Sequence, residues 1–295
     1  MSSNITNLAF KGGGVLGIAY AGAIQVLQDN NILQQVQRVA GTSAGAITAA
    51  LVSLKYTAEE IYSIVQATNF ASFEDKENPL RIATKYGLYE GDAFLNWMQT
   101  QITAKGLAAT ATFTDFKNAG MMDLNVFATD LNAKALKHFS YATTPTVIVA
   151  EAVRSSMSIP LFFKAWQFSN NNPDNHLYVD GGMVYNFPIT IFDNGSTPNP
   201  QTLGLYLANL GAPPPPSDLG YDHVLQYIKD LVDTMLDAQE IDFLNDAQEK
   251  SRTITIDNLG ISATDFGLTK DQQTALYNSG KKYATQFLGQ AATVA

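Results

Sequence analysis

The pentapeptide Gly41-Thr42-Ser43-Ala44-Gly45 constrains this chain more than any other stretch. It has the form G-x-S-x-G, with Gln37-Arg38-Val39-Ala40 before it and the apolar run 46–52 after it. That order reads as strand, sharp turn, helix. A serine at such a turn is exposed at the end of a sheet, and the amides that open the helix face the same space. Gly41 and Gly45 leave room for close backbone packing. A tight helix start would favour the same small residues, so a chemical reading needs a partner for Ser43 elsewhere in the chain.

The residues around this turn set the fold class. Residues 5–10 form a short apolar run and read as a first buried strand. Lys11-Gly12-Gly13-Gly14-Val15-Leu16-Gly17 follows, then an Ala-rich helix over 18–27 that stops at Asp29-Asn30-Asn31. Residues 36–40 are the second strand, with Ser43 at its exit. This order opens a parallel sheet covered by helices. Gly12-x-Gly14-x-x-Gly17 also matches the dinucleotide fingerprint, which calls for a carboxylate at the end of the second strand. That strand ends Val39-Ala40-Gly41, and Asp29 precedes it. Three consecutive glycines suit a loop of bare amides aimed at developing negative charge. They suit a tight turn under a close-packed helix equally well.

Further along, residues 57–67 read as a helix capped by Thr57 and Glu60. Residues 70–89 look loop-like and 90–102 helical, so 70–120 could form a cap or insertion. Strands are expected at 123–129 and 135–141 as neighbours, at 177–179, at 203–207 and at 252–256. Helices are expected at 146–155, 188–192 and 269–288, the last opened by Thr269 and Gln272. Between them lie a stiff proline connector at 212–217 and a long acidic helix at 221–250. The expected organisation is a core over 1–210, followed by a linker and helical extension over 211–295 that packs on it.

Composition narrows the functions. Acidic residues outnumber basic ones 27 to 18, a net charge of −9, which argues against a nucleic-acid partner. Much of the acidic excess falls on the 221–250 helix and reads as a solvated face. Without cysteine there is no disulfide or thiolate metal site. The N-terminus has no basic segment leading into an apolar one, and no window approaches 18 apolar residues. A cytoplasmic or peripheral membrane location is therefore expected. No sequence feature specifies an oligomeric state.

A nucleophilic serine needs a base. The three histidines are His138, His176 and His223. Ser43, Asp180 and His223 follow the serine–acid–histidine order of α/β-hydrolases. However, only one strand precedes the strand that ends at Ser43, and His223 follows a proline run at the start of the acidic helix. His138 lies within a strand pattern and reads as structural. Asp180 stands at a strand exit and is followed by Gly181 and Gly182. Strand exits collect at one edge of a parallel sheet, so its carboxylate could take the Ser43 proton directly. The alternative is an aspartate that caps its own turn.

These motifs together resemble the patatin-like phospholipases, a family of lipid acyl hydrolases. Gly12-Gly13-Gly14-Val15-Leu16-Gly17 is similar to the family's oxyanion loop, Gly41-Thr42-Ser43-Ala44-Gly45 to its nucleophile elbow, and Asp180-Gly181-Gly182 to its dyad aspartate motif. Phe127-Ala128-Thr129-Asp130-Leu131, the stretch from Ala152 through Arg154-Ser155-Ser156 to Phe163, and Asn186-x-Pro188 also resemble family segments. The resemblance covers about 5–210. It implies a three-layer α/β/α sandwich with a central, mostly parallel sheet. It further implies Ser43 and Asp180 as catalytic residues, amides of Gly12, Gly13 and Gly14 as the oxyanion hole, and supporting roles for Gly17, Gly41, Gly45, Gly181 and Gly182. The implied substrate is a phospholipid or other acyl lipid met at a membrane interface, with no metal and no organic cofactor. Many members carry Arg or Lys where this chain has Leu16. That departure leaves a weakly active lipid-binding protein as an alternative, alongside a soluble esterase or thioesterase.

Overall fold

The computed structural model describes residues 4–78, 80–211 and 246–293, together with positions 227, 230, 231, 234 and 243. The expected proline connector, most of the 221–250 helix and His223 lie outside the described residues.

A central, mostly parallel sheet is flanked by helices. Its strands are β1 (Asn7–Phe10), β2 (Arg38–Thr42), β4 (Asp123–Asp130), β5 (Ala135–Ser140), β7 (Tyr178–Asp180), β8 (Thr202–Ala208) and β9 (Thr253–Asp257). Their order is β5-β4-β2-β1-β8-β9, with β7 also paired to β4. Every residue of β1 and β8 is buried. Continuous burial of this kind belongs to central strands covered on both faces. Among the continuously described residues the α-helices are α1 (Ile18–Asp29), α2 (Ala44–Ser53), α3 (Ala58–Ala67), α4 (Leu80–Lys85), α5 (Asp92–Ala104), α6 (Phe113–Asn118), α7 (Val149–Ser156), α8 (Ala247–Ser251) and α9 (Lys270–Thr293).

The expected Thr57–Glu60 capping box is formed, with the Glu60 amide donating to Thr57 Oγ1 and the Thr57 amide to the Glu60 carboxylate. Residues 70–89 are more ordered than their loop-like sequence suggests. They contain α4 and β3 (Gly87–Tyr89), and β3 pairs in parallel with β6 (Leu161–Phe163) as a separate two-stranded sheet. Three-residue strands carry no readable period, and their partners lie far away in sequence. The fully buried Arg154 of α7 ties this region down, donating to the carbonyls of Gly91 at 3.0 Å and Glu90 at 2.7 Å. At the C-terminal end, β9 extends the central sheet beyond β8 and α9 packs along α1.

One register relation positions the candidate site. β2 runs parallel to β4 and its pairing ends at Thr42 opposite Phe127. β5 occupies the other edge of β4. β7 takes over β2's edge and runs antiparallel, with Asp180 opposite Ala128 and Tyr178 opposite Asp130. The C-terminal ends of β2 and β7 therefore meet head to head along one edge of β4.

Candidate active site

Ser43 lies between β2 and α2 with φ 53° and ψ −125°. A positive φ is strained for a residue with a side chain, and strain of this kind persists only where the surroundings impose it. Here α2 presses close against the sheet: a Cβ on Gly45 would run into the Phe10 carbonyl, and one on Gly41 into the Gly45 carbonyl. The Ser43 carbonyl accepts from the Ala46 amide at 2.8 Å, and its own N–H donates to Ser156 Oγ at 2.9 Å. The sequence suggests an exposed serine, yet Ser43 is 3% exposed.

Asp180 ends β7 and is 2% exposed. Its Oδ1 accepts from the Gly182 amide at 2.7 Å, and its Oδ2 has no hydrogen-bond partner. Burial pushes the carboxyl's pKa up to about 7, against the opposing pull of the Ser43 hydroxyl and the Gly182 amide. The backbone is fixed on both sides: Asp180 N–H donates to the Ser158 carbonyl at 2.9 Å, and Thr129 Oγ1 to the Asp180 carbonyl at 2.9 Å. Because β7 is antiparallel to β4, Asp180 does not reach Ser43 as a second parallel strand exit, as its sequence position suggests. Head-to-head meeting of β2 and β7 brings the two residues together instead. Gly181 lies so close to β4 that a Cβ there would strike the Phe127 carbonyl.

Neither described histidine bonds Ser43. His138 pairs its Nε2 with Asn125 Oδ1 at 2.9 Å and stacks on Phe127 at 4.8 Å, and burial lowers its pKa. His176 Nδ1 pairs with Asp130 Oδ2 at 2.8 Å, at the far end of the β4–β7 ladder. Asp130, Asp174 and His176 are also the one metal-compatible group among the described residues. Each already has protein partners: Asn132 and Ala133 amides on Asp130, and Lys137 and Tyr178 on Asp174.

The glycine loop divides in two. Gly12 N–H donates to the Asn186 carbonyl at 3.0 Å, so it is not a spare donor for a ligand, contrary to the expectation for it. The N–H groups of Gly13 and Gly14 are bonded to no described residue. Gly14 has φ +54°, and a Cβ there would run into the Ala263 carbonyl oxygen. That same carbonyl accepts the Val15 N–H at 3.0 Å, so the segment before α9 braces the loop. A Cβ on Gly17 would press on Ala44 at 3.3 Å, where the starts of α1 and α2 approach. Leu16 is 4% exposed and part of the main apolar core. Lys11, also buried, donates from Nζ to the Leu207 carbonyl at 3.0 Å. Sequence reasoning missed the Ser156 contact. Its only signal was the Arg154-Ser155-Ser156 segment, which points to no particular hydroxyl.

The family described as patatin-like phospholipase matches residues 8–193. YqhO, an uncharacterized protein of Bacillus subtilis (strain 168), is 32% identical over 95% of this chain and 97% of its own length. A probable lipid hydrolase, 463L of Invertebrate iridescent virus 6, is 28% identical over 62% of each chain. Among solved structures, VipD from Legionella pneumophila superposes with a TM-score of 0.70 at 17% identity, covering 97% of this chain and 67% of VipD. ExoU, in its complex with SpcU from the type III secretion system of Pseudomonas aeruginosa, gives 0.53 at 16% identity, and the chain spans 52% of that protein. With the matched segment running from β1 past Asp180, and with a relative of this similarity aligned over nearly its whole length, the chain belongs to the patatin-like phospholipase family.

Proposed function

We propose that the chain is a lipid acyl hydrolase that cleaves carboxylic esters through a Ser43–Asp180 dyad and an acyl-enzyme. The observation that carries this reading is the Asp180 carboxyl itself. It is buried, its Oδ2 is unbonded, its pKa is raised to about 7, and it stands beside a serine held in a strained turn. A base with a pKa near the working pH combines a useful ionised fraction with a real affinity for the proton.

In the proposed sequence, Ser43 Oγ attacks the acyl carbonyl carbon and its proton passes to Asp180 Oδ2. The carbonyl π electrons move to oxygen, where the N–H groups of Gly13 and Gly14 and the positive end of α2 receive the charge. Collapse breaks the ester C–O bond, and the departing alkoxide takes the proton from Asp180. Water then attacks the acyl-enzyme, giving its proton to Asp180, and fatty acid leaves as Ser43 is reprotonated. Met183 and Val184 follow the aspartate turn and are 38% and 51% exposed. They place apolar surface next to the site, which supports a substrate met at a lipid interface. Among the described residues no helix is long and apolar enough to cross a membrane.

The test is hydrolysis of phosphatidylcholine vesicles by purified protein, with S43A as control. Release of fatty acid by the wild type and none by S43A is expected. Equal release by both would remove Ser43 from the chemistry. Wild-type hydrolysis of soluble short-chain esters with none of vesicles would favour a soluble esterase.

A further inference from the structure

The Ser156 hydroxyl occupies a position that a backbone hydrogen bond would normally fill. In a parallel ladder, every second residue of a strand donates its N–H to the carbonyl one residue before its partner, and accepts from the N–H one residue after it. The Asp123 N–H donating to the Gln37 carbonyl at 2.9 Å shows that the odd-numbered residues of β2 face β4. Extending the register by one step sets Ser43 opposite Ala128, so its N–H belongs on the Phe127 carbonyl. The turn at Ser43 and the arrival of Asp180 opposite Ala128 end the ladder one rung early. Ser156 Oγ fills the gap: it accepts the Ser43 N–H at 2.9 Å and donates to the Phe127 carbonyl at 2.5 Å. The side chain is 0% exposed, so water does not supply either bond in its place.

We propose that Ser156 is a positioning residue for the reaction: its hydroxyl splices the nucleophile turn onto β4 where β2 gives way to β7, fixing the Ser43 backbone relative to Asp180. The proposal rests on the dyad reading. The groups it joins are the N–H of Ser43 itself and the β4 carbonyl against which Gly181 packs, and no other described group bonds the Ser43 N–H. Without the hydroxyl, a buried N–H and a buried carbonyl lose their partners at once, and the strained Ser43 conformation loses one of its restraints. Small displacements of a nucleophile are felt in turnover before they are felt in substrate binding.

The neighbouring Ser155 provides a matched control. It is equally buried, but its Oγ donates to the Ala152 carbonyl at 2.7 Å within its own helix. The experiment measures kcat and KM for p-nitrophenyl butyrate, with thermal melting on the same preparations, for wild type, S43A, S155A, S156T and S156V. Threonine and valine have nearly the same shape, so any overpacking affects both, and only the hydroxyl separates them. The expected result is that S156V falls about 10- to 100-fold in kcat relative to S156T with KM changed less than about threefold. S155A keeps wild-type kcat even if its melting temperature falls. Equal kcat in S156V and S156T, with S43A inactive, would overturn the proposal while leaving the dyad standing. An S43A protein as active as wild type would overturn the dyad and the role of Ser156 with it.

Discussion

Asp180 and Asp130 stand at the two ends of the three-residue ladder between β4 and β7, both almost wholly buried, at 2% and 4% exposure. Their surroundings differ in one respect. Asp130 has its lost hydration replaced: the amides of Asn132 and Ala133 donate to Oδ1, and His176 pairs with Oδ2. Asp180 has one amide on Oδ1 and none on Oδ2. A buried carboxylate with its acceptors filled is a structural element. One left partly bare binds a proton readily, because protonation relieves the desolvation that the fold has not compensated. The glycine loop repeats the contrast with donors. Gly12 N–H is satisfied by the Asn186 carbonyl, whereas those of Gly13 and Gly14 are bonded to no described residue. The proposed chemistry uses the groups the fold leaves unsatisfied.

Exchanging the two carboxylates gives the largest contrast. D180N is expected to lose at least about 10³-fold in turnover, since an amide cannot take the serine proton. Its stability should move the opposite way. A carboxyl whose folded pKa is raised from 3.8 to about 7 stabilises the protein most below pH 4, and that contribution fades between about 4 and 7. Above pH 7 the wild type carries a poorly solvated charge that D180N lacks, so D180N should melt higher at pH 8. D130N should do the reverse, keeping turnover within about threefold while losing about 1–3 kcal/mol of stability as its acceptors are disrupted. Ester hydrolysis and calorimetry on both proteins read the comparison, and parallel behaviour of the two variants would break it.

The donor side is tested by G14A. A methyl group there meets the Ala263 carbonyl, and the backbone sits at φ +54°. Displacing one proposed oxyanion donor should cost about 3 kcal/mol of transition-state stabilisation, visible as a drop in kcat. Undiminished kcat in folded G14A would remove this amide from the proposed site. L16R gives a smaller effect and extends the comparison to an engineered unsatisfied group. It puts a cation where the core holds Leu16 at 4% exposure, and about 2 kcal/mol of stability should be lost. Thermal melting decides it. An unchanged melting temperature with faster hydrolysis of anionic vesicles would mean that the position tolerates, and uses, a charge.

The residues of the site were legible because their chemistry depends on local pattern. A glycine run after a strand, G-T-S-A-G before a small-residue helix, and an aspartate followed by two glycines each show in a few consecutive positions. The sheet was legible where strands were long and buried, as in 203–207, and the β4–β5 pairing was expected from their adjacency. What could not be read depended on register between distant segments. The direction of β7, the capture of Gly12 N–H by Asn186 and the bond from Ser43 to Ser156 follow from which strand ends where along β4. No local period encodes that. For the same reason β3 was hidden in a loop-like stretch, since its three residues become a strand only against β6.

The most direct test of the account is the pH dependence of covalent labelling by a fluorophosphonate, with the modified residue identified by peptide mass spectrometry. A single label on Ser43 is expected, at a rate that rises with pH and levels off above a midpoint near 7, the value to which burial raises Asp180. D180N should label far more slowly and without that midpoint. A label on another residue, or wild-type labelling of Ser43 in D180N, would contradict it.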